Sequence, residues 1–395
     1  MASWGKNTMS NISLRRPLVA AGVAAGVAAS VLLAGPATAR STKAAPTCGS
    51  VITTDTKLTA DLTCEGTALV LNRGITLDLG GHSITGRGTG ATTGILVVGP
   101  ATVRPTVIRG GTLSRWQAGI RTEPDPWVTS RVEVSRLTAN RAPLTLQTTD
   151  LRVTASRLTD SDLNTYAGRT SVVDSRLVRS SAMHETTLFR LVRSTLIGGT
   201  WGGDENQQVE IVDSVLDGRG TVGLPPSMCG GNVCRISGST IRNYTYPLSP
   251  WYGATITDTT FADNPNGAIS AEADGLVTVT RSRFVRNGAG NQPAITVAYR
   301  GKLSVRDSAF ASGGAGIRVD DGADGSQVAV RGSSFRDHSI DGIYSEVPGV
   351  RLGSNSAIGN GGWGIYAPGA VDEGGNVARD NGAAGQCSGV TCAPR

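Results

Sequence analysis

The stretch Leu276-Val277-Thr278-Val279-Thr280-Arg281-Ser282-Arg283-Phe284-Val285-Arg286-Asn287 holds a phrase that recurs along the chain. It reads apolar, two mostly polar residues, Ser, any residue, then Leu or Phe. Copies stand at Val132–Ser135–Leu137, Val153–Ser156–Leu158, Val172–Ser175–Leu177, Leu191–Ser194–Leu196 and Ile211–Ser214–Leu216. Others follow at Ile236–Ser239–Ile241, Ile256–Thr259–Phe261, Val279–Ser282–Phe284, Val305–Ser308–Phe310 and Val330–Ser333–Phe335, with a looser Leu352–Asn355–Ile358. Ser135 to Asn355 is 220 residues in ten steps, a mean period of 22. Such a period admits leucine-rich repeats or parallel β-helices. The L-x-x-L-x-L pattern with its fixed Asn is absent, and two short β-like pieces with Gly/Asn turns fill each period. The second piece is Gly316-Ile317-Arg318-Val319 in one copy and Gly342-Ile343-Tyr344 in a later one. Strands of three to five residues stacked at about 4.8 Å pair in parallel with their counterparts one turn away.

Two further columns are expected. The serines form one, at an inward corner where each hydroxyl finds a backbone partner. Asn140, Asn264 and Asn287, with Gly313 and His338 in the same slot, form the other, since Asn and Gly tolerate left-handed backbone. The apolar column changes from Leu to Phe at Phe261.

Composition agrees. Gly is 53 of 395 residues and charged residues are 17%, which disfavours a helix-rich domain. Residues 1–39 hold Lys6, Arg15 and Arg16 and no acid, so the formal +6 falls to 34 bases against 31 acids, or +3, without them. That even spread argues against a nucleic-acid binder. Residues 1–39 read as an export signal: Arg15-Arg16, an apolar run from Leu18 to Leu33, then Ala37-Thr38-Ala39 as an A-x-A cleavage site. The paired arginines resemble a twin-arginine signal, with Leu14 where Ser or Thr is usual. The run is too short to span a membrane, so no span is expected in the mature chain. Six cysteines fall into local couples: Cys48 and Cys64, Cys229 and Cys234, Cys387 and Cys392. An even count in an exported chain suggests disulfides, although six cysteines allow fifteen pairings and proximity alone favours these.

The opening Cys48-Gly49-Ser50-Val51-Ile52-Thr53, Leu58-Thr59-Ala60-Asp61-Leu62-Thr63-Cys64 and Ile75-Thr76-Leu77-Asp78-Leu79-Gly80-Gly81-His82-Ser83-Ile84 resembles secreted right-handed parallel β-helix proteins of the pectin-lyase-like superfamily, of actinobacterial type. The close, Gly374-Gly375-Asn376 and then Cys387-Ser388-Gly389-Val390-Thr391-Cys392, is similar to theirs. The resemblance implies an all-β, single-stranded right-handed parallel β-helix over residues 48–392, after a signal over 1–39 and a linker over 40–47. Cys48–Cys64 and Cys387–Cys392 are expected to staple its ends, and Cys229–Cys234 to pin a protruding loop. Carbohydrate chemistry is implied only at superfamily level, because lyases, hydrolases, epimerases and binding proteins share the fold. The expected protein is a secreted monomer that acts on or binds extracellular polysaccharide, as a lyase or hydrolase of acidic polymers or as a non-catalytic envelope solenoid.

Outward side chains alternate with inward ones on the second piece. One outward column reads Asn164, His184, Gly202, Gly223, Ser249, Ser270, Thr296, Arg318, Tyr344, Tyr366. The next reads Tyr166, Thr186, Asp204, Pro225, Trp251, Glu272, Ala298, Asp320, Glu346, Pro368. Arg318, Asp320, Asp321 and Glu346 are the catalytic candidates, with Tyr344, Trp363 and Tyr366 as platforms for sugar rings. Two close carboxylates suit an acid–base pair. The same acids could hold Ca²⁺, with Arg318 as base or clamp. Alternatively Arg318 simply neutralises Asp320 and Glu346 on a solvated sheet. His184, Glu185, Asp204 and Tyr166 form a rival cluster, in which a His–Tyr pair would move a proton. His82 and His338 read as turn residues. The catalytic patterns of polygalacturonases, pectate lyases and mannuronan epimerases are absent.

Overall fold

In the computed structural model, residues 45–123, 130–203, 208–219, 229, 231, 233–324 and 327–393 are described. The stretch read as an export signal, 1–39, and most of the expected linker over 40–47 lie outside them. The described chain is a parallel β-solenoid of about 14 turns without an α-helix. Each strand pairs with the equivalent strand one coil away, and every such pairing is parallel. A full turn of the coil thus takes the place of a crossover helix.

A coil has three faces. The first carries the Val-x-Val strand, such as Leu276–Thr280. The second carries the Phe strand, such as Arg283–Asn287, and the third the Gly-Ile strand, such as Pro293–Val297. Val277, Val279, Phe284 and Ile295 all point inward and are buried, because strand alternation sends every second residue to the core. Phe261, Phe284, Phe310 and Phe335 stack along the axis, with centroids 5.1, 4.5 and 4.7 Å apart. Each contributes about 1.5–3 kcal/mol by burial.

The serine column forms at the corner between the first and second faces. Ser156, Ser175, Ser194, Ser214 and Ser239 are buried, and the Ser175, Ser194, Ser214 and Ser239 hydroxyls each accept the N–H of the column residue one coil before, at 3.0–3.1 Å. Each of the five hydroxyls also donates to the carbonyl two residues back, at 2.7–2.8 Å. The column resumes at Thr259 and ends in asparagines, with Ser333 N–H on Asn355 Oδ1 and Asn355 N–H on Asn376 Oδ1.

The earliest copy of the phrase sits elsewhere. The ladder pairs Val134 with Val153 and Ala139 with Leu158, and Leu137 N–H donates to Ser156 Oγ. Leu137, not Ser135, therefore fills the serine slot. The same two-residue displacement puts Ala142, whose N–H donates to Ser161 Oγ, in the asparagine slot in place of Asn140. At the far end Phe335 pairs with Ala357, so Ala357 and not Ile358 continues the apolar column.

The second corner is the asparagine column. Asn264 N–H donates to Asn287 Oδ1 and Asn264 Nδ2 reaches the same oxygen at 2.7 Å. Gly313 pairs with Asn287, and His338 N–H donates to Asn360 Oδ1. Just before both inward columns the backbone turns left-handed at non-glycine residues, including Asp174 (φ 50°), Arg193 (φ 44°), Asp263 (φ 57°) and Arg286 (φ 51°). Asp and Arg at these positions pair across adjacent coils, Asp160–Arg179, Asp174–Arg193, Asp258–Arg281 and Asp263–Arg286, at 2.6–2.7 Å. Being exposed, these pairs mark the corners more than they stabilise the fold.

The three expected disulfides are all present. Cys48–Cys64 and Cys387–Cys392 close the two ends. Cys229 and Cys234 are buried, and Cys234 takes the inward position next to Val209, so that bridge lies in the core wall. Residues 220–228, the loop it was expected to pin, are outside the described set.

Candidate functional site

The third face is the candidate site. Its register reads Ser270, Thr296, Arg318, Tyr344, Tyr366 and Ser388, which is the outward column the alternation predicts. Asp320 and Glu346 each lie one residue beyond the paired Val319 and Ser345. The turn from the third face back to the first sets what surrounds these residues. In the strands Leu144–Thr154 and Leu163–Val173 the chain passes from one face to the other without leaving the strand. Later coils open there into loops, at 298–301, 320–324 and 346–350.

Three of these outward residues engage the carboxylate two positions on in their own coil. Arg318 Nε donates to Asp320 Oδ1 at 2.5 Å, Tyr344 Oη to Glu346 Oε1 at 2.5 Å, and Ser270 Oγ to Glu272 Oε1 at 2.6 Å. Arg318 thus neutralises Asp320, while Glu346 is held by a phenol. The hydrogen bond to Glu346, aided by partial burial, pushes the Tyr344 hydroxyl up to about 12. At neutral pH it is a donor and not a base.

The aromatic rings form one surface. Tyr344 and Tyr366 stack with centroids 5.0 Å apart and planes 16° from parallel. Trp363 tilts against Tyr366 at 5.4 Å, and the Arg318 guanidinium lies 5.7 Å from the Tyr344 centroid. Stacked pairs of this kind are worth about 0.5–1.5 kcal/mol beyond burial. Further up the same edge, Trp251, Tyr252 and Tyr299 are more than half exposed. Tyr299 escaped the column reading because it stands one residue past the second outward position.

Asp341 is the other residue that the columns missed. It lies two residues before inward Ile343, with Trp363 as its counterpart one coil on, and its Oδ1 accepts the Trp363 N–H at 2.6 Å. Burial pushes its carboxyl upward, against smaller pulls from the Trp363 N–H and Arg318. The signal available in the sequence was an acid where other coils have Ala315 or Pro293.

Asp321 is exposed in the turn after Asp320. Among the described residues no three His, Cys, Asp or Glu side chains converge as metal ligands. A Ca²⁺ ion takes six to eight oxygens, and Asp320 and Glu346 each spend one oxygen on a neighbour, so these residues do not fit a calcium site.

The rival cluster falls in a different register from the one expected. Tyr166 pairs with Glu185, and Asn164 with Met183. His184 instead pairs with buried Thr165 and so is one residue out of the outward column. The predicted column slipped because Ala182-Met183-His184-Glu185-Thr186 lacks a clear apolar alternation. Asp204, Gly223 and Pro225 lie outside the described residues.

Residues 205–377 match the family described as right handed beta helix region. No curated protein and no solved structure matches the chain. The matched β-helix segment contains every third-face residue from Trp251 to Tyr366. Among the described residues no helix is long and apolar enough to cross a membrane. The three disulfides are consistent with an extracellular protein.

Proposed function

We propose that the third face, from Trp251 to Tyr366, binds an extracellular polysaccharide chain laid along the coil axis. The observation that carries this is the Tyr344–Tyr366 ring stack with Trp363 beside it, set among hydrogen-bonded polar pairs. Flat aromatic faces cover the apolar faces of sugar rings, while carboxylates and guanidinium groups take the hydroxyls. The edge spans six coils, about 24 Å at 4.8 Å per coil, enough for an extended oligomer. Its charge favours a neutral or amino-bearing chain over an acidic one. Glu272, Asp274, Asp320, Asp321, Asp341 and Glu346 stand against Arg300 and Arg318. Action outside the cell is supported by the disulfides and by the Arg15-Arg16 leader.

Binding is favoured over turnover because Asp320 and Glu346 are already engaged within their own coils. Catalysis is the second reading, favoured by one observation: Asp341, buried and with its carboxyl pushed upward, stands within the field of Arg318. Such a carboxyl suits a general acid.

Native gels containing xylan, soluble β-glucan or glycol chitosan test the binding. At least one should retard the protein, the Tyr344→Ala/Tyr366→Ala variant should lose the retardation, and Tyr344→Phe should keep it. Unchanged retardation of the alanine variant would remove the third face from consideration. The same glycans, with pectate, alginate, hyaluronan and chondroitin, are then assayed for unsaturated products and reducing ends. Activity abolished by Asp341→Asn would make the protein an enzyme.

A further inference from the structure

The second face is set apart by charges of almost one sign. Its strands run from Arg157–Thr159 through Arg176–Val178, Thr195–Ile197, Val215–Asp217, Thr240–Arg242, Thr260–Ala262 and Arg283–Asn287. They continue with Ala309–Gly313, Ser334–Arg336, Ser356–Ile358 and Asn376–Arg379. Every charged residue on these strands is arginine except Asp217. That carboxylate is fully buried and already held by Arg219 and Arg242 at 2.6 and 3.0 Å. The first face is mixed: Arg190 pairs with Glu210 and both Arg331 and Arg351 pair with Glu373, while Arg152, Arg169, Lys302 and Arg306 have no ion pair among the described residues.

Four of the second-face arginines, Arg157, Arg176, Arg283 and Arg336, are exposed, and among the described residues none has an ion pair. Arg157 and Arg176 are direct ladder neighbours, a like-charge contact that works against the sheet. The acids nearest in sequence, Asp160 and Asp174, are committed to Arg179 and Arg193 through two hydrogen bonds each. Further along, Arg283 and Arg336 border a shallow notch floored by Ala309 and Ala311, with Asp307 at its rim. Between the arginines the outward side chains are short: Thr195, Val215, Thr240, Thr260 and Ser334.

We propose that this face docks a carboxylate-bearing glycan chain lying parallel to the axis, at a site separate from the third face. The guanidinium fork matches carboxylates in two-point contacts, as Arg179 and Arg193 already demonstrate within the molecule. Threonine and serine hydroxyls between the arginines can take sugar hydroxyls. A single-stranded nucleic acid would need aromatic platforms for its bases, and none stands on this face.

The test is affinity electrophoresis of the full chain in gels containing polygalacturonate, at low and high salt. The wild type should be retarded, less so as salt rises. Replacing Arg157, Arg176, Arg283 and Arg336 by Ser should weaken binding about tenfold or more, and lysine at the same places should preserve most of it. Removing four unpaired charges from the first face (Arg152, Arg169, Lys302 and Arg306, each to Ser) should change it less than about threefold if location rather than net charge decides. Tyr344→Ala/Tyr366→Ala should leave polygalacturonate binding intact, which separates this site from the third face. The pair variant Arg157→Ser/Arg176→Ser serves if the fourfold variant does not fold. No retardation by polygalacturonate, equal weakening by both charge sets, or tighter binding of single-stranded DNA would each overturn the proposal.

Discussion

His338 provides the sharpest test of the corner architecture. It occupies the asparagine column, its N–H bonded to Asn360 Oδ1, and only 2% of its surface is exposed. Neither ring nitrogen has a partner of ordinary hydrogen-bond geometry. Burial pushes the imidazole down to about 4, against weaker opposing pulls from Asp337 and the Phe310 carbonyl. In the unfolded chain it titrates near 6.5. Above that pH both states are neutral at this site and stability does not depend on it. As pH falls from about 6.5 toward 4, the unfolded chain takes up a proton that the folded protein refuses. Stability then drops by about 1.4 kcal/mol per pH unit, about 2 kcal/mol by pH 5 and about 3 kcal/mol by pH 4. His338→Asn should remove this dependence, since Asn360 in the same column bonds the Phe335 carbonyl and Asn381 without carrying a proton. Denaturant unfolding of both proteins at pH 7.5 and 5.0 measures it, and the wild type should lose about 2 kcal/mol more than the variant. Equal losses would mean that His338 is hydrated or already charged in the folded state.

Two further outcomes follow from the core. Burial works to raise the Asp217 carboxyl, but hydrogen bonds from Arg219 and Asn243 and the charge of Arg242 outweigh it and hold the group near about 2. Its contribution, about 2 kcal/mol, is therefore present above pH 4 and lost as pH falls toward 2; Asp217→Asn should flatten that part of an acid-unfolding curve, and an unchanged curve would refute the assignment. Phe310→Ala breaks the stack between Phe284 and Phe335 and should cost about 3–5 kcal/mol, against about 1 kcal/mol for Phe310→Leu; similar midpoints for both in urea would show that the rings are not closely packed.

The repeat was legible because a solenoid writes each coil into a local stretch of sequence. Val279, Ser282 and Phe284 face inward in every coil that carries them, so the pattern alone gives the strands, the corner and the direction of each side chain. Its error at Val132–Ser135–Leu137 has a clear cause. A two-residue slip preserves strand parity, so Val132–Ser135–Leu137 and Val134–Leu137–Ala139 both keep apolar residues inside, whereas a one-residue slip would have exposed them. Only the ladder pairing of Val134 with Val153 separates the two. At His184 the opposite failure occurred: small and polar residues on that strand conceal the parity itself.

The candidate site was legible as a column but not as chemistry. The order Arg318, Tyr344, Tyr366 follows from counting residues. That Arg318 turns to Asp320 and Tyr344 to Glu346, each within one coil, depends on rotamers that no spacing encodes. Asp341 gained its character from burial beside Trp363, a neighbour one coil away.

The sequence by itself determined the coil: its period, most of its inward columns, its cysteine couples and the later outward residues of its third face, Arg318, Tyr344 and Tyr366, because each is set by local alternation repeated many times. The tertiary structure alone decided which charges are satisfied. The corner arginines meet their carboxylates only after stacking brings residues about twenty positions apart into contact. Thus the even charge balance of the chain resolves into paired corners, a mixed first face, an acid-rich third face and a second face with four unpaired arginines.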